Sequence, residues 1–239
     1  MRNLSVIGLI MLNQLIMAQE PFQVRPLNTV YNNFAHIGNA EAYLKTAGTN
    51  FGSRPDLKGS PYLFGKWVKG RIINNNDQIY FDGLYNFDKV NQQLLWFIND
   101  SVFAIDKESI KSAYLSDGEL GYTLEKIPGM KKNTFYKVIM KGKVFSLYSF
   151  INTTFVKADY KTNGIVGSGN PYDEYKDEDI YYIVVADRFT SFEVSLKKKS
   201  IRKALEKQTA VVEEYFKAHP GNIDEKYLVA LLKYLNDRQ

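Results

Sequence analysis

Ile180-Tyr181-Tyr182-Ile183-Val184-Val185 is followed by Phe192-Glu193-Val194-Ser195-Leu196, and then by Lys197-Lys198-Lys199-Ser200-Ile201-Arg202-Lys203-Ala204-Leu205. The first run is β-branched or aromatic throughout, the composition of a central strand. The second alternates apolar and polar residues with period two, as a half-buried strand does. After Leu196 the period lengthens. Ile201, Leu205, Val212 and Phe216 fall on one face of a helix, with Ala204 and Tyr215 beside them. His219-Pro220-Gly221 stops that helix, because proline cannot continue the ladder and glycine suits a C-cap. Asn222 or Asp224 caps a second helix whose Leu228, Leu231, Leu232 and Leu235 stand at i, i+3, i+4 and i+7. Residues 197–239 therefore read as an αα-hairpin whose apolar stripes pack on a sheet.

Working toward the N-terminus, strands continue. Lys141-Gly142-Lys143 splits Phe135–Met140 from Val144–Phe150 as a hairpin turn, with Gly142 available for positive φ. Both faces of that pair carry large side chains, so it is expected to be covered on both sides. Residues 161–179 read as a long loop. Between Ser60 and Ile105, apolar runs alternate with Asn74-Asn75-Asn76-Asp77, Asn86-Phe87-Asp88-Lys89 and Asn99-Asp100, each of which reads as a turn. Asp106 caps a single helical turn. Residues 60–196 thus form an antiparallel β meander of roughly eight to ten strands. The whole is an α+β chain whose sheet is a curved half-barrel or a sandwich. The strand order is not legible.

The other end of the chain reads as an address. Met1-Arg2-Asn3 precedes an apolar stretch of about fourteen residues, too short for a bilayer core of roughly 30 Å. Ala18 offers a cleavage site, so residues 1–18 are expected to be a secretory signal peptide. Residues 19–59 form a polar arm in which Asn39–Thr46 suits a short helix. Cleavage removes one charge, Arg2, from a net +5. The expected product is exported to the periplasm or beyond and is soluble, with no transmembrane segment.

With no cysteine and two histidines in 239 residues, thiol chemistry, disulfides and multi-histidine metal sites have no material. Neither His36 nor His219 has a serine in a nucleophile-elbow setting. Asp82, Asp88, Asp100, Asp117 and Glu119 are numerous enough for a glycosidase pair, but turn chemistry explains Asp88 and Asp100. The acidic run Asp173–Asp179 lacks calcium-loop spacing, and the glycines from Gly164 to Gly169 lack a phosphate-loop lysine. No catalytic residue, cofactor or metal is therefore expected. The basic charge is mild and spread, which argues against nucleic acid. Lys197, Lys198 and Lys199 oppose the dipole of the helix they open, a weak sign of an anionic contact. Among 34 aromatic residues (17 Tyr, 15 Phe and 2 Trp), Trp67, Tyr80, Tyr85 and Trp96 are the expected binding surface.

Gly59-Ser60-Pro61-Tyr62-Leu63, Trp67-Val68-Lys69-Gly70 and Gly83-Leu84-Tyr85-Asn86, with Tyr234-Leu235-Asn236 near the end, form a pattern that resembles uncharacterised exported proteins of the Bacteroidetes. The resemblance spans residues 59–239. It implies an exported, envelope-associated β body with a helical tail, and no catalytic residue is carried over. The expected function is binding of an envelope protein or a glycan. A carrier of an apolar ligand held between sheet and helices is the second expectation, and a hydrolase with a carboxylate pair the third.

Overall fold

The computed structural model describes residues 24–26, 57–80, 84–98, 101–162, 164, 166–186 and 190–238. The signal peptide, the helix expected at Asn39–Thr46, His36, Asp82 and Asp100 lie outside the described residues. The chain is an α+β protein built mostly of antiparallel sheet.

Two sheets do most of the work. The small one comprises β1 (Val24–Pro26), β5 (Leu84–Asp88), β6 (Gln93–Ile98) and β7 (Ser101–Ile105), in the order β1-β7-β6-β5. The large one holds β3 (Lys69–Asn74), β4 (Ile79–Tyr80), β8 (Ile110–Ser116), β9 (Gly121–Glu125), β10 (Tyr136–Met140), β11 (Phe145–Val156), β14 (Asp173–Val185) and β15 (Thr190–Val194). Its order is β15-β14-β11-β10-β9-β8-β3-β4, and β2 (Leu57–Lys58) adds to β14 in parallel. β12 (Lys161–Thr162) and β13 (Gly167–Ser168) make a separate small ribbon. Asp106 caps the one-turn 3-10 helix at Lys107–Ser109 by accepting from the Glu108 N–H.

The chain crosses between the sheets at Val68. Val68 and Tyr85 exchange backbone hydrogen bonds of 3.0 and 2.7 Å, and the next residues, Lys69 to Ile73, pair with β8. Asn86 holds the corner. Its buried amide accepts from the N–H groups of Phe64 and Phe87 and donates to the carbonyls of Phe64 and Lys66 at 2.8 and 3.0 Å. An extended chain that leaves its ladder for five residues needs such substitutes, because buried backbone groups must be paired. This corrects the turn expected at Asn86–Lys89. β5 runs through Asp88, and the chain reverses at Lys89–Gln92, with Gln92 at φ 51.

One face of the large sheet carries both main cores. The small sheet covers the β3–β8–β9 half, enclosing Ile72, Phe87, Leu94, Ile110, Leu115 and Leu124. Helices cover the other half: α1 (Lys198–Ala204), α2 (Thr209–Ala218) and α3 (Glu225–Asn236) bury Ile201, Val212, Leu228 and Leu232 against Leu147 and Ile183. The single helix expected from Lys198 to Ala218 is broken at Leu205. Four polar residues, Glu206 to Thr209, interrupt the stripe, and a kink lets both halves face one core. Between the covers runs a polar seam. Ser149 and Lys137 contact Asp179, while Thr153 and the buried Lys89 contact Asp177.

α3 is tied to the sheet by one side chain. Asn236 accepts from the Val144 and Phe145 N–H groups at 2.9 and 3.0 Å and donates to Phe145 O and Leu232 O. Gly142 is required by this contact and not by its φ, because a Cβ there would lie 2.2 Å from the Asn236 amide nitrogen. The long loop read at 161–179 shortens likewise, since β14 begins at Asp173 and pairs with β11 over twelve residues. Asn236→Ala should lower unfolding free energy by about 1–3 kcal/mol, the penalty for orphaned backbone groups, measured by urea denaturation. A second expectation concerns Asp88, whose burial pushes its carboxyl up, against hydrogen bonds from Asn91 and the charge of Lys107. A raised acid favours the fold below its ordinary value and loses that contribution as pH rises through the folded value. The stability of Asp88→Asn relative to the parent chain should therefore increase between pH 3.5 and 7, whatever the offset at the acid end.

Candidate functional site

An apolar cleft opens where the large sheet ends and the helices bend. Its walls are Val144, Phe145 and Val185 from the sheet, Phe192 on the terminal strand β15, and Ala204 and Leu205 at the kink between α1 and α2. Thr190 and the polar turn Glu206–Gln208 form the rim. The volume is about 220 Å³. The kink makes the cleft. Leu205 leaves helical geometry at φ −112 and ψ 33 while its N–H still reaches Ile201 O, and its carbonyl accepts from Gln208. Leu205 thereby lines the cleft from a buried position and the charged turn is held at the rim. Phe192, 36% exposed, is the large apolar side chain on the β15 wall that meets water. Below the cleft, Leu147, Ile183, Ile201 and Val212 are fully buried, so the space does not continue through them.

The four aromatics chosen from the sequence are not brought together. Tyr85 is 1% exposed and belongs to the core between the two sheets, which corrects its place as a surface residue. β5 sits at the corner, so its inward side chains face two layers. Trp96 pairs across the ladder with Tyr85 and packs half-buried on the same core, 6.3 Å from Phe103. Trp67 lies on the other face of the small sheet, stacked on Phe97 at 5.3 Å. Tyr80 ends β4 and pairs with Ile72, its hydroxyl donating to Gln78 Oε1 at 3.2 Å. Large apolar groups exposed among the described residues are others: Phe192 at the cleft, Phe155, Tyr160 and Val166 in and beyond the far end of the β11–β14 ribbon, and Ile79, Tyr114 and Leu120 elsewhere. Strict alternation in Phe192–Leu196 was the available signal for Phe192, but alternation does not say which strand ends the sheet.

The basic cluster is partly consumed. Arg202 makes a bidentate pair with Glu213 at 2.5 and 3.0 Å and lies over the Phe216 ring, as does Lys198. Those two cations fasten α1 to α2. Lys197 and Lys199 stay exposed. His219 stacks on Tyr215 at 4.2 Å at the end of α2.

The carboxylates are similarly occupied. Asp117 accepts from the Glu119 and Leu120 N–H groups, which hold its carboxyl below the usual range. Asp177 and Asp179 share a strand face, roughly 7 Å apart by strand geometry, which is a spacing glycosidases use. Here one oxygen of Asp177 takes Thr153 and the other Lys89, and Asp179 takes Ser149 and Lys137. Among the described residues no group of three His, Asp or Glu side chains is placed to hold a metal, and no helix is long and apolar enough to cross a membrane.

The seam pair gives a direct measurement. A double-mutant cycle on Lys89→Met and Asp177→Asn should return a coupling of about 1 kcal/mol, held down because Asp177 is partly in water. Compared with protein-family models, with curated proteins and with solved structures, the chain gives no match.

Proposed function

We propose that the protein is exported and acts by binding rather than by catalysis, with the cleft beside β15 as the seat for one apolar side chain of a partner protein. The observation that carries this is the size and lining of the cleft. A dry apolar cavity of roughly 150 Å³ takes a benzene ring, whereas sites for drug-sized ligands start near 300 Å³. At about 220 Å³ the cleft suits a leucine or phenylalanine side chain and is too small for a long acyl chain. Its position at the end of the sheet supports a partner, because side chains on an extended segment beside β15 would come within reach of it. In this reading the two sheets form a half-barrel and α2 with α3 an αα-hairpin cover, and the export address in residues 1–18 places the partner in the envelope. The carrier reading is the alternative, supported by the same apolar lining.

Two measurements separate them. Benzene should shift amide signals of Val144, Phe145, Val185, Phe192 and residues 204–208 at millimolar concentration, and lauric acid should not. A photo-reactive residue at position 192 should capture one discrete protein in producing cells, with no such adduct from position 120, where Leu120 is exposed on another loop. Saturable lauric acid binding at these amides would move the assignment to a carrier. Equal labelling from both positions would remove the cleft from the function.

A further inference from the structure

A second concave surface is ringed by lysines around a floor that includes Ile127, Pro128 and Met130. The β9–β10 loop, from Lys126 to Asn133, arches over the 3-10 turn at Lys107–Ser109, with left-handed residues at Gly129 (φ 80) and Asn133 (φ 58). The groove they enclose is about 500 Å³ and is lined by Lys111, Lys126, Lys131 and Lys132 with a single acid, Glu108. It holds neither an aromatic ring nor an arginine.

We propose that this groove is an anion site that takes phosphate groups, with Lys126, Lys131 and Lys132 as its principal cations and Lys111 at its margin.

Four observations support the assignment. First, the charges do not balance: Lys107, Lys111, Lys126, Lys131 and Lys132 face Asp77, Asp88, Asp106 and Glu108, an excess of one cation. Second, the acids are engaged already. Lys111 pairs with Asp77 at 2.5 Å, and the Glu108 carboxylate is held by Lys132 at 3.5 Å and Asn133 at 3.2 Å. Third, two lysines are anchored behind the groove by main-chain carbonyls: Lys126 donates to Lys107 O and Lys107 to Asn91 O. Burial pushes both amines down, against the charges of Asp106 and Glu108 on Lys126 and of Asp88 on Lys107, and the like charges of Lys132 and Lys131 add a smaller push in the same direction as burial. An anion in the groove relieves that repulsion. Fourth, the residue types select the ligand. Lysines act as compact point charges suited to phosphate, whereas paired recognition of a carboxylate favours arginine. Without a ring to stack on, a neutral sugar gains little here.

The site is independent of the apolar cleft, and its test uses different residues. Inorganic pyrophosphate titrated at low salt should bind saturably and shift amides at 108, 111 and 126–133. Lys131→Gln with Lys132→Gln, both exposed, should weaken binding by about tenfold or more, while Lys197→Gln with Lys199→Gln should leave it unchanged. Absent saturation, or equal losses in the two double variants, would overturn the site in favour of diffuse attraction to surface lysines. Sedimentation with phosphatidylcholine vesicles doped with phosphatidic acid then distinguishes sources. Vesicle binding displaced by pyrophosphate assigns a lipid headgroup, and pyrophosphate binding without vesicle binding assigns a soluble phosphate or a phosphorylated polymer. Either result upholds the groove as the phosphate site.

Discussion

The fold depends on a strand that serves two sheets within a few residues. At Val68 the backbone is bonded to β5, and from Lys69 onward it is bonded to β8. Everything in the first core follows from that corner. It folds the three-stranded run Leu84–Ile105 back onto the large sheet and lets Ile72, Phe87 and Leu94 meet. The corner is possible because the Asn86 amide supplies the hydrogen bonds that the ladder drops. A buried polar side chain with all four of its bonds made is structurally equivalent to a short piece of strand.

The same corner explains the sequence pattern that runs from Gly59 to Asn86. Gly59 sits at φ 69, where a Cβ would lie 2.3 Å from Tyr175 O, and Ser60 accepts from the Tyr62 N–H. Tyr62 bridges to Asp88, and Val68 to Tyr85. The pattern is a folding instruction. Tyr85, expected at a binding surface for its aromatic ring, belongs to this pattern and packs in the core.

Period and composition were sufficient for the strands at 101–105 and 180–185, for the Asp106 cap and for the leucine stripe of α3, while the strand expected at 192–196 lies two residues earlier, at Thr190–Val194. They failed where a polar residue works inside the protein. Asn86 and Asp88 have the composition of a turn, and only their partners, Phe64 and Lys66 for Asn86 and Asn91 with Lys107 for Asp88, reveal that they are buried. The acidic run Asp173–Asp179 resembles a solvated loop because its pairing with β11 is balanced by Lys89, Lys137, Ser149 and Thr153, residues distant in sequence. The two concave surfaces were illegible for a related reason. The cleft needs the break at Leu205 and the end of the sheet in one place, and the lysine groove needs β9–β10 to arch over a turn some twenty residues earlier. Neither is a motif of fixed spacing.

The seam of Lys89, Lys137, Asp177 and Asp179 divides what lies on the large sheet into two covers that do not share an apolar core. The helical cover is fastened by its own hydrophobic contacts and by Asn236, and the small sheet by its corner. Cooperativity is transmitted through close-packed apolar contact, so a solvated row of charges is where it weakens. The helices from Lys198 to Asn236 are thus fastened to the large sheet by contacts separate from those that fasten the small sheet, and the cleft at the kink exists only because they are docked there.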